Sequence, residues 1–319
     1  ANGEVKPEVS LRPVAQRLQE LLGLPVAVVS DCIGIASPAD ARVVLLENLR
    51  FHAEEEENDL AFAKALALHG DVYVSDAFGC LHRAHASVDG VARLFCERAV
   101  GLLIEKELAA LDFDHTDHPF VVILGCAKIS DKIGLLENLL KKADKVLLGG
   151  AIVFDFLKAK GWGIGKSLYE PDKVAFAQEL LRDYPDKIVL PTDIVISEDI
   201  EDNEIYTVDA DKIPEEMKGL DIGDETIEEF CAIADDAKTI FWNGPVGVFE
   251  SPPFDHGTRK IAEHLAQRKA RVIIGGGDTT AAIDHMGLAK RYTHVSTGGG
   301  AALEYISGKK LPGLAVFER

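Results

Sequence analysis

Short apolar runs, continuous rather than alternating, recur along the chain at 26–29, 43–46, 72–74, 121–124, 146–148, 188–190, 240–242, 272–274 and 294–295. Strands covered on both faces read this way, whereas strands with a wet face alternate. Segments of helical period lie between most of them. In the segment 131–140, Ile133, Leu136 and Leu140 fall on one face and Ser130 offers an N-cap. The alternation predicts an α/β fold of doubly wound, Rossmann-like parallel sheets. Between 101 and 118 the helical stretch LLIEKELAALDF gives way to DFDHTDHP, which marks a boundary. Six strand candidates follow it and three precede it, so the first sheet reads as incomplete.

Composition narrows the partners. The chain has 319 residues, 47% of them hydrophobic, and a net charge of -19. That charge disfavours nucleic acid and anionic membrane surfaces, and no apolar run is long enough for a membrane span. Five cysteines, widely spaced and without a C-x-x-C pair, predict reduced thiols and a cytoplasmic protein. The run Cys80-Leu81-His82-Arg83-Ala84-His85 is a poor metal site, because Arg83 would repel a cation. Glu54 to Glu57 read as a solvated helix approach.

The chemistry concentrates where apolar runs end in glycine. Four such junctions occur: VVILGCAKISDKI at 121–133, VLLGGAIVFDFL at 146–157, VIIGGGDTTAAID at 272–284 and HVSTGGGAALEYI at 294–306. In an open α/β sheet the ligand lies beyond the carboxyl ends of the strands, where helix N-termini present unpaired N–H groups. Glycine there lets the backbone approach a phosphate. Tight turns and helix packing would also use glycine, but four junctions with Lys128, Lys132 and Asp278 beside them point to a polyphosphate site. Asp278 offers a carboxylate to Mg²⁺ and Thr279 a hydroxyl to a phosphate oxygen. In IFWNGPVGVFE, 240–250, a rigid turn delivers Phe249 to a base and Glu250 to a ribose; a packed loop would read the same. The usual nucleotide signatures fail. GWGIGKS, 161–167, has Lys160 where a Walker A loop needs glycine, and no G-x-G-x-x-G opens a helix after a strand, which counts against a nicotinamide dehydrogenase.

LLENLRFH, SDAFGCLHRAHAS, ILGCAKISDKIGLLENLL, FWNGPVGVFE, IIGGGDTTAAID and STGGGAALEYISGKKLPG occur in an order and spacing that resemble the phosphoglycerate kinase family from end to end. The resemblance implies transfer of the γ-phosphoryl of MgATP to 3-phosphoglycerate, giving 1,3-bisphosphoglycerate and ADP, and the reverse. It implies two α/β domains facing a cleft that closes by a hinge, in a protein that is usually monomeric. They are an incomplete 3-phosphoglycerate-binding domain over 1–98, a helix and linker over 99–118, a nucleotide-binding domain over 119–305, and 306–319 returning to the first domain. Lys128 and Lys132 would contact the nucleotide phosphates, with Lys128, Gly276 and Gly299 at the migrating phosphoryl. Gly276, Gly277 and Thr279 would hold phosphates, Asp278 the Mg²⁺ and Glu250 the ribose. Gly149, Gly223, Gly244 and Phe249 would border the nucleoside, while Arg50 and Arg83 would grip the acceptor's phosphate through their planar forks.

The family pattern includes a further N-terminal portion, about 65–70 residues by its usual length, carrying an arginine for the transferring phosphoryl and a His-Leu-Gly-Arg motif. Its absence from this sequence predicts a retained nucleotide site with turnover reduced on the order of 10³-fold or more, a nucleotide-binding fragment being the alternative. An open sheet edge prone to association is also expected. Cys126 and Ala151 stand where the family carries glycine, each adding a Cβ near the nucleotide.

Overall fold

The computed structural model describes residues 1, 3–34, 38, 40–202 and 204–318. Two compact units emerge: Ala1–Glu105 with Lys310–Arg319, and Lys106–Lys309.

The first unit contains two parallel two-stranded ribbons. One pairs β1 (Val26–Val28) with β2 (Val43–Leu45), the other β3 (Tyr73–Ser75) with β4 (Arg98–Val100). Its core gathers Phe62, Ala63, Leu66, Ala86 and Val91 around the buried Cys32. The last segment joins this core, since Gly313 N–H donates to Leu81 O at 2.9 Å and Phe317 stacks on Tyr73. Val72, Val74 and Val100, in and beside the second ribbon, stay exposed. Glu55 is not solvated as the charge run suggested. It is 3% exposed and accepts from Ser87 N (2.9 Å) and Oγ (2.6 Å). A carboxylate with two such donors offsets its desolvation, which sequence composition does not register.

The second unit is built on β5 (Phe120–Gly125), β6 (Lys145–Gly149), β7 (Ile188–Val189), β8 (Asp193–Ser197), β9 (Tyr206–Asp209), β10 (Lys218–Ile222), β11 (Thr239–Asn243), β12 (Arg271–Gly275) and β13 (His294–Val295). Six of these form one parallel sheet in the order β13-β12-β11-β5-β6-β7. The remaining three form an antiparallel sheet, β10-β8-β9. Every residue of β5 and β11 is buried, as expected for strands covered on both sides. Val121, Ile123, Ile240 and Trp242 pack with Phe230, Ile261, Leu265 and Ile283 from helices on one face. On the alternate positions, Phe120 and Phe241 meet Phe113 at ring distances of 4.9 and 5.1 Å.

All nine apolar runs become strands, but β4, β8, β9 and β10 carried no such signal. β4 is exposed throughout, and β10, Lys-Gly-Leu-Asp-Ile, interrupts its apolar residues with glycine and aspartate. The helix after β5 covers Ile133–Lys142 and buries Leu135, Leu136, Leu139 and Leu140 rather than Ile133. Ser130 does not cap it. A 3₁₀ turn, Ile129–Lys132, intervenes, and Ser130 bonds Glu170 instead through N (2.9 Å) and Oγ (2.8 Å).

The strand order reverses between β5 and β11. Crossovers from β5 run outward through β6 and β7, and those from β11 run the opposite way, which opens a crevice at the strand ends. There the backbones touch. A Cβ on Gly125 would collide with the Pro245 carbonyl, and one on Gly244, at φ +90°, with the Gly125 carbonyl. Neither obstacle is a side chain that can move aside. Gly125→Ala is therefore expected to cost roughly 2–4 kcal/mol in equilibrium urea unfolding. The exposed Gly163→Ala, whose Cβ meets nothing nearer than 3.8 Å, should stay within about 0.5 kcal/mol of the parent; equal losses would remove the steric argument.

Candidate functional site

A cavity of about 700 Å³ lies at this reversal, entirely within the second unit. Segments following five strands line it: Gly125 to Ala127 after β5, Gly150 and Ala151 after β6, Asn243 to Val248 after β11, Gly276 to Thr279 after β12, and Gly299 and Gly300 after β13. All four glycine junctions recognised in the sequence thus meet in one place. Phe154, Ile194, Leu220, Ile222 and Val246 supply an apolar wall.

Gly276, at φ +90°, opens the helix Gly277–His285. That turn aims the helix's first N–H groups at the cavity and puts Asp278 in its first turn. The hydroxyl of Thr279 accepts the Gly244 N–H at 2.6 Å and keeps its own proton to donate. Trp242 Nε1 donates to Gly244 O at 2.8 Å and fixes the same turn from behind. Lys132 reaches in from the 3₁₀ turn and donates to Asn243 Oδ1 at 3.0 Å, while Asn243 Nδ2 donates to Gly275 O at 2.8 Å. One amide therefore ties the ammonium to the ends of β11 and β12. Burial pushes the Lys132 pKa down, against the pull of Asp278 and Asp131. Its charge is incompletely compensated, which suits an anionic ligand.

Among the residues singled out from sequence, Lys132, Gly244, Glu250, Gly276, Gly277, Asp278, Thr279 and Gly299 line the cavity. Lys128 is exposed, and its carbonyl accepts the Cys126 thiol at 3.3 Å. Gly149 is buried behind the wall, where a Cβ would come within 2.6 Å of the Val246 side chain. Gly223 is buried at the start of the helix Asp224–Asp235, with no room for a Cβ against the Asp193 carboxylate. Phe249 is half-buried outside the lining, and Arg50 and Arg83 belong to the first unit. Cys126 and Ala151 do line the cavity, and burial pushes the Cys126 thiol up to about 12, leaving it protonated. In the rejected Walker-like stretch, Ser167 Oγ accepts Gly219 N–H at 2.9 Å, a packing role.

Three contributors were missed. Asn243 stands inside the N-G-P turn, whose glycine and proline carry the stronger sequence signal. Asp221 lines the wall, and burial pushes its carboxyl up to about 7 even though Gly257 N (2.8 Å) and Ile222 N (2.9 Å) donate to it. A partly neutral acid repels a phosphorylated ligand less than a full carboxylate. Glu107 is completely buried beneath the Ser-Thr-Gly-Gly-Gly segment. It accepts His294 Nε2 (2.9 Å), Ser296 Oγ (2.8 Å), Thr297 N (2.7 Å) and Thr297 Oγ1 (2.8 Å). No local motif announces a glutamate whose partners lie almost two hundred positions away.

The family model for phosphoglycerate kinase matches residues 1–309. A phosphoglycerate kinase of Solibacter usitatus is 48% identical over 323 residues, spanning 99% of this chain and 82% of that protein. One from Chlorobium phaeobacteroides is 49% identical over 330 residues, spanning 99% and 83%. The structure of phosphoglycerate kinase from Coxiella burnetii superposes with a TM-score of 0.89 at 37% identity, over 99% of this chain and 82% of that one. That from Pyrococcus horikoshii OT3 gives 0.82 at 32% identity, over 96% and 82%.

The Glu107 network yields a pH prediction. Despite burial, which alone would raise it, the four donors hold the carboxyl down from an ordinary 4.5 to about 2. A depressed carboxylate stabilises fully above its unfolded pKa, and the benefit disappears as pH falls from 4.5 toward 2. The contribution is at most roughly 3 kcal/mol. Glu107→Gln should therefore lower the urea midpoint at pH 7 and flatten the loss of stability below pH 5; parallel parent and variant curves would contradict the assignment.

Proposed function

The chain belongs to the phosphoglycerate kinase family, and on that premise we propose that the cavity at the β5–β11 reversal is its nucleotide site. The enzyme is a phosphotransferase that moves the γ-phosphoryl of ATP reversibly to the carboxylate of 3-phosphoglycerate, a glycolytic step. A nucleotide-binding fragment without catalysis is not favoured, given family similarity over nearly the whole chain. The single observation that carries the assignment of the site is the convergence of the four glycine junctions around Lys132 and Asp278.

In this reading the apolar wall, with Phe154 and Val246, takes the base, and Glu250 accepts hydrogen bonds from the ribose. Gly149, Gly223, Gly244 and Phe249 act on the nucleoside end by shaping that wall. Lys128 and Lys132 face the phosphates with the N–H groups of Gly276, Gly277 and Gly299 and the Thr279 hydroxyl. Asp278, an exposed carboxylate at the cavity, fits a hard divalent cation that takes its other ligands from phosphate and water. Mg²⁺ bound there would neutralise phosphate charge. In the first unit, Arg50 and Arg83 hold the phosphate of 3-phosphoglycerate.

The acceptor carboxylate is ionised at neutral pH, so no general base is required. Neutralising and aligning the phosphoryl group is the main task. Lys132 suits it because Asn243 fixes the ammonium before the ligand arrives, avoiding reorganisation during transfer. Lys128, exposed and without a side-chain partner among the described residues, has the freedom to follow the migrating phosphoryl. The unpaired thiols of all five cysteines fit a cytoplasmic enzyme. Among the described residues no helix is long and apolar enough to cross a membrane.

A coupled assay, with 3-phosphoglycerate and MgATP feeding glyceraldehyde-3-phosphate dehydrogenase and NADH oxidation, tests the reading. Lys128→Ala should lower kcat by roughly 10²–10³-fold while calorimetric MgADP affinity changes much less. A variant with unchanged kcat would remove Lys128 from the reaction. Arg83→Lys should raise the KM for 3-phosphoglycerate by about tenfold or more and leave that for ATP unchanged; a selective effect on ATP would place Arg83 elsewhere.

A further inference from the structure

Away from the nucleotide cavity, the first unit brings together three residues to which the proposed reaction assigns no role. A carboxylate oxygen of Asp31, the sulfur of Cys32 and a ring nitrogen of His52 all lie within 4.8 Å of one another. The parallel pairing of β1 with β2, Val26 opposite Val43 through Val28 opposite Leu45, accounts for the meeting. It sends the segments that leave the two strands in the same direction. His52 Nε2 sits 2.8 Å from Asp31 Oδ1, and its ring packs against Phe62 with centroids 5.3 Å apart. Cys32 is 1% exposed, and its carbonyl is held by His69 Nε2 at 2.8 Å. The three residues lie on the wall of a cavity of about 420 Å³.

Packing alone would be served by an apolar residue at position 32, and a His–Asp pair needs no thiol beside it. Thiolate, imidazole and carboxylate are together the donor set of zinc and its neighbours, and a poor set for Mg²⁺. Lys6 and Arg12 line the same cavity, each with a carboxylate of its own nearby, Glu4 at 3.2 Å from Lys6 and Glu47 attracting Arg12. We propose that Asp31, Cys32 and His52 form a binding site for a zinc-class divalent cation, with the cavity leaving a fourth position to water. On binding, the Cys32 proton leaves to solvent as the sulfur–metal bond forms. The His52–Asp31 hydrogen bond is exchanged for two metal bonds, the ring proton passing through solvent from Nε2, where it faced Asp31, to Nδ1. The thiolate and carboxylate together balance the charge of the ion. The metal clips the segment after β1 to the one that carries Arg50, so it orders the acceptor-binding side of the first unit.

Titration of the full chain with Co²⁺, in excess Mg²⁺, tests this through thiolate-to-cobalt charge-transfer absorption in the near ultraviolet. One equivalent should raise the band and Zn²⁺ should abolish it. Cys32→Ser should eliminate the band, and His52→Gln should weaken Co²⁺ binding by roughly tenfold or more. Cys96→Ser, at an exposed thiol, should leave it intact. Circular dichroism checks that each variant is folded; if Cys32→Ser is not, His52→Gln and Asp31→Asn decide the matter by the same loss of affinity. Absence of a band from the parent chain, its survival in folded Cys32→Ser, or undiminished affinity in the His52 and Asp31 variants would overturn the proposal.

Discussion

The contact on which the site depends is that of bare backbone against bare backbone where β5 and β11 end. Gly125 and the Asn243-Gly244-Pro245 turn occupy space that any side chain would claim. Because they meet, the turn is held against the neighbouring strand end. The Gly244 N–H then reaches Thr279, and Asn243 reaches both Gly275 and Lys132. Strands β5, β11 and β12 are thereby locked at their carboxyl ends, and the helix that bears Asp278 is aimed by the same contacts. Loosening one of these turns would misplace all the groups that face the cavity.

An acidic chain must hold a highly charged anion there. Its net charge of -19 offers no long-range attraction, so the favourable field has to be local. Three devices supply it. Helix N–H groups carry no counter-charge, and a desolvated Lys132 is held by a neutral amide rather than by a carboxylate. The buried Asp221, its pKa raised by desolvation, is partly protonated and carries less than a full negative charge. Glu107 shows the opposite solution: four donors keep a fully buried carboxylate ionised, and in return it fixes the conformation of the Ser-Thr-Gly-Gly-Gly segment. A buried ion is tolerated where its hydrogen bonds are complete.

Much of this was legible along the chain. Continuous apolar runs identified every strand of the six-stranded sheet, because burial on both faces leaves no polar alternation. Glycines at the ends of four apolar runs, two of them with Lys128, Lys132 or Asp278 close behind, identified the functional strand ends. The small antiparallel sheet was not legible. Asp193, Gly219 and Asp221 break the apolar pattern there because they serve caps and close contacts: Asp193 receives Thr226 and Gly223 pins its neighbourhood, while Gly219 makes room for Phe154. Glu55 was misjudged for a related reason, since a glutamate in an acidic run gives no sign that Ser87 awaits it.

By itself the sequence determined which residue types stand at strand ends, and hence that several backbone N–H groups, two lysines and a carboxylate are available for a phosphate ligand. Local pattern suffices for that, because helix starts and buried strands are specified by neighbours within a few positions. Only the tertiary structure decided that these ends face one cavity, that Lys132 rather than Lys128 is held by Asn243, and that Glu107 supports the last glycine segment. Those outcomes depend on the strand order β13-β12-β11-β5-β6-β7, which sets residues more than a hundred positions apart within hydrogen-bonding distance. Such pairings are fixed by how the sheet closes over its core, and no short stretch of chain encodes them.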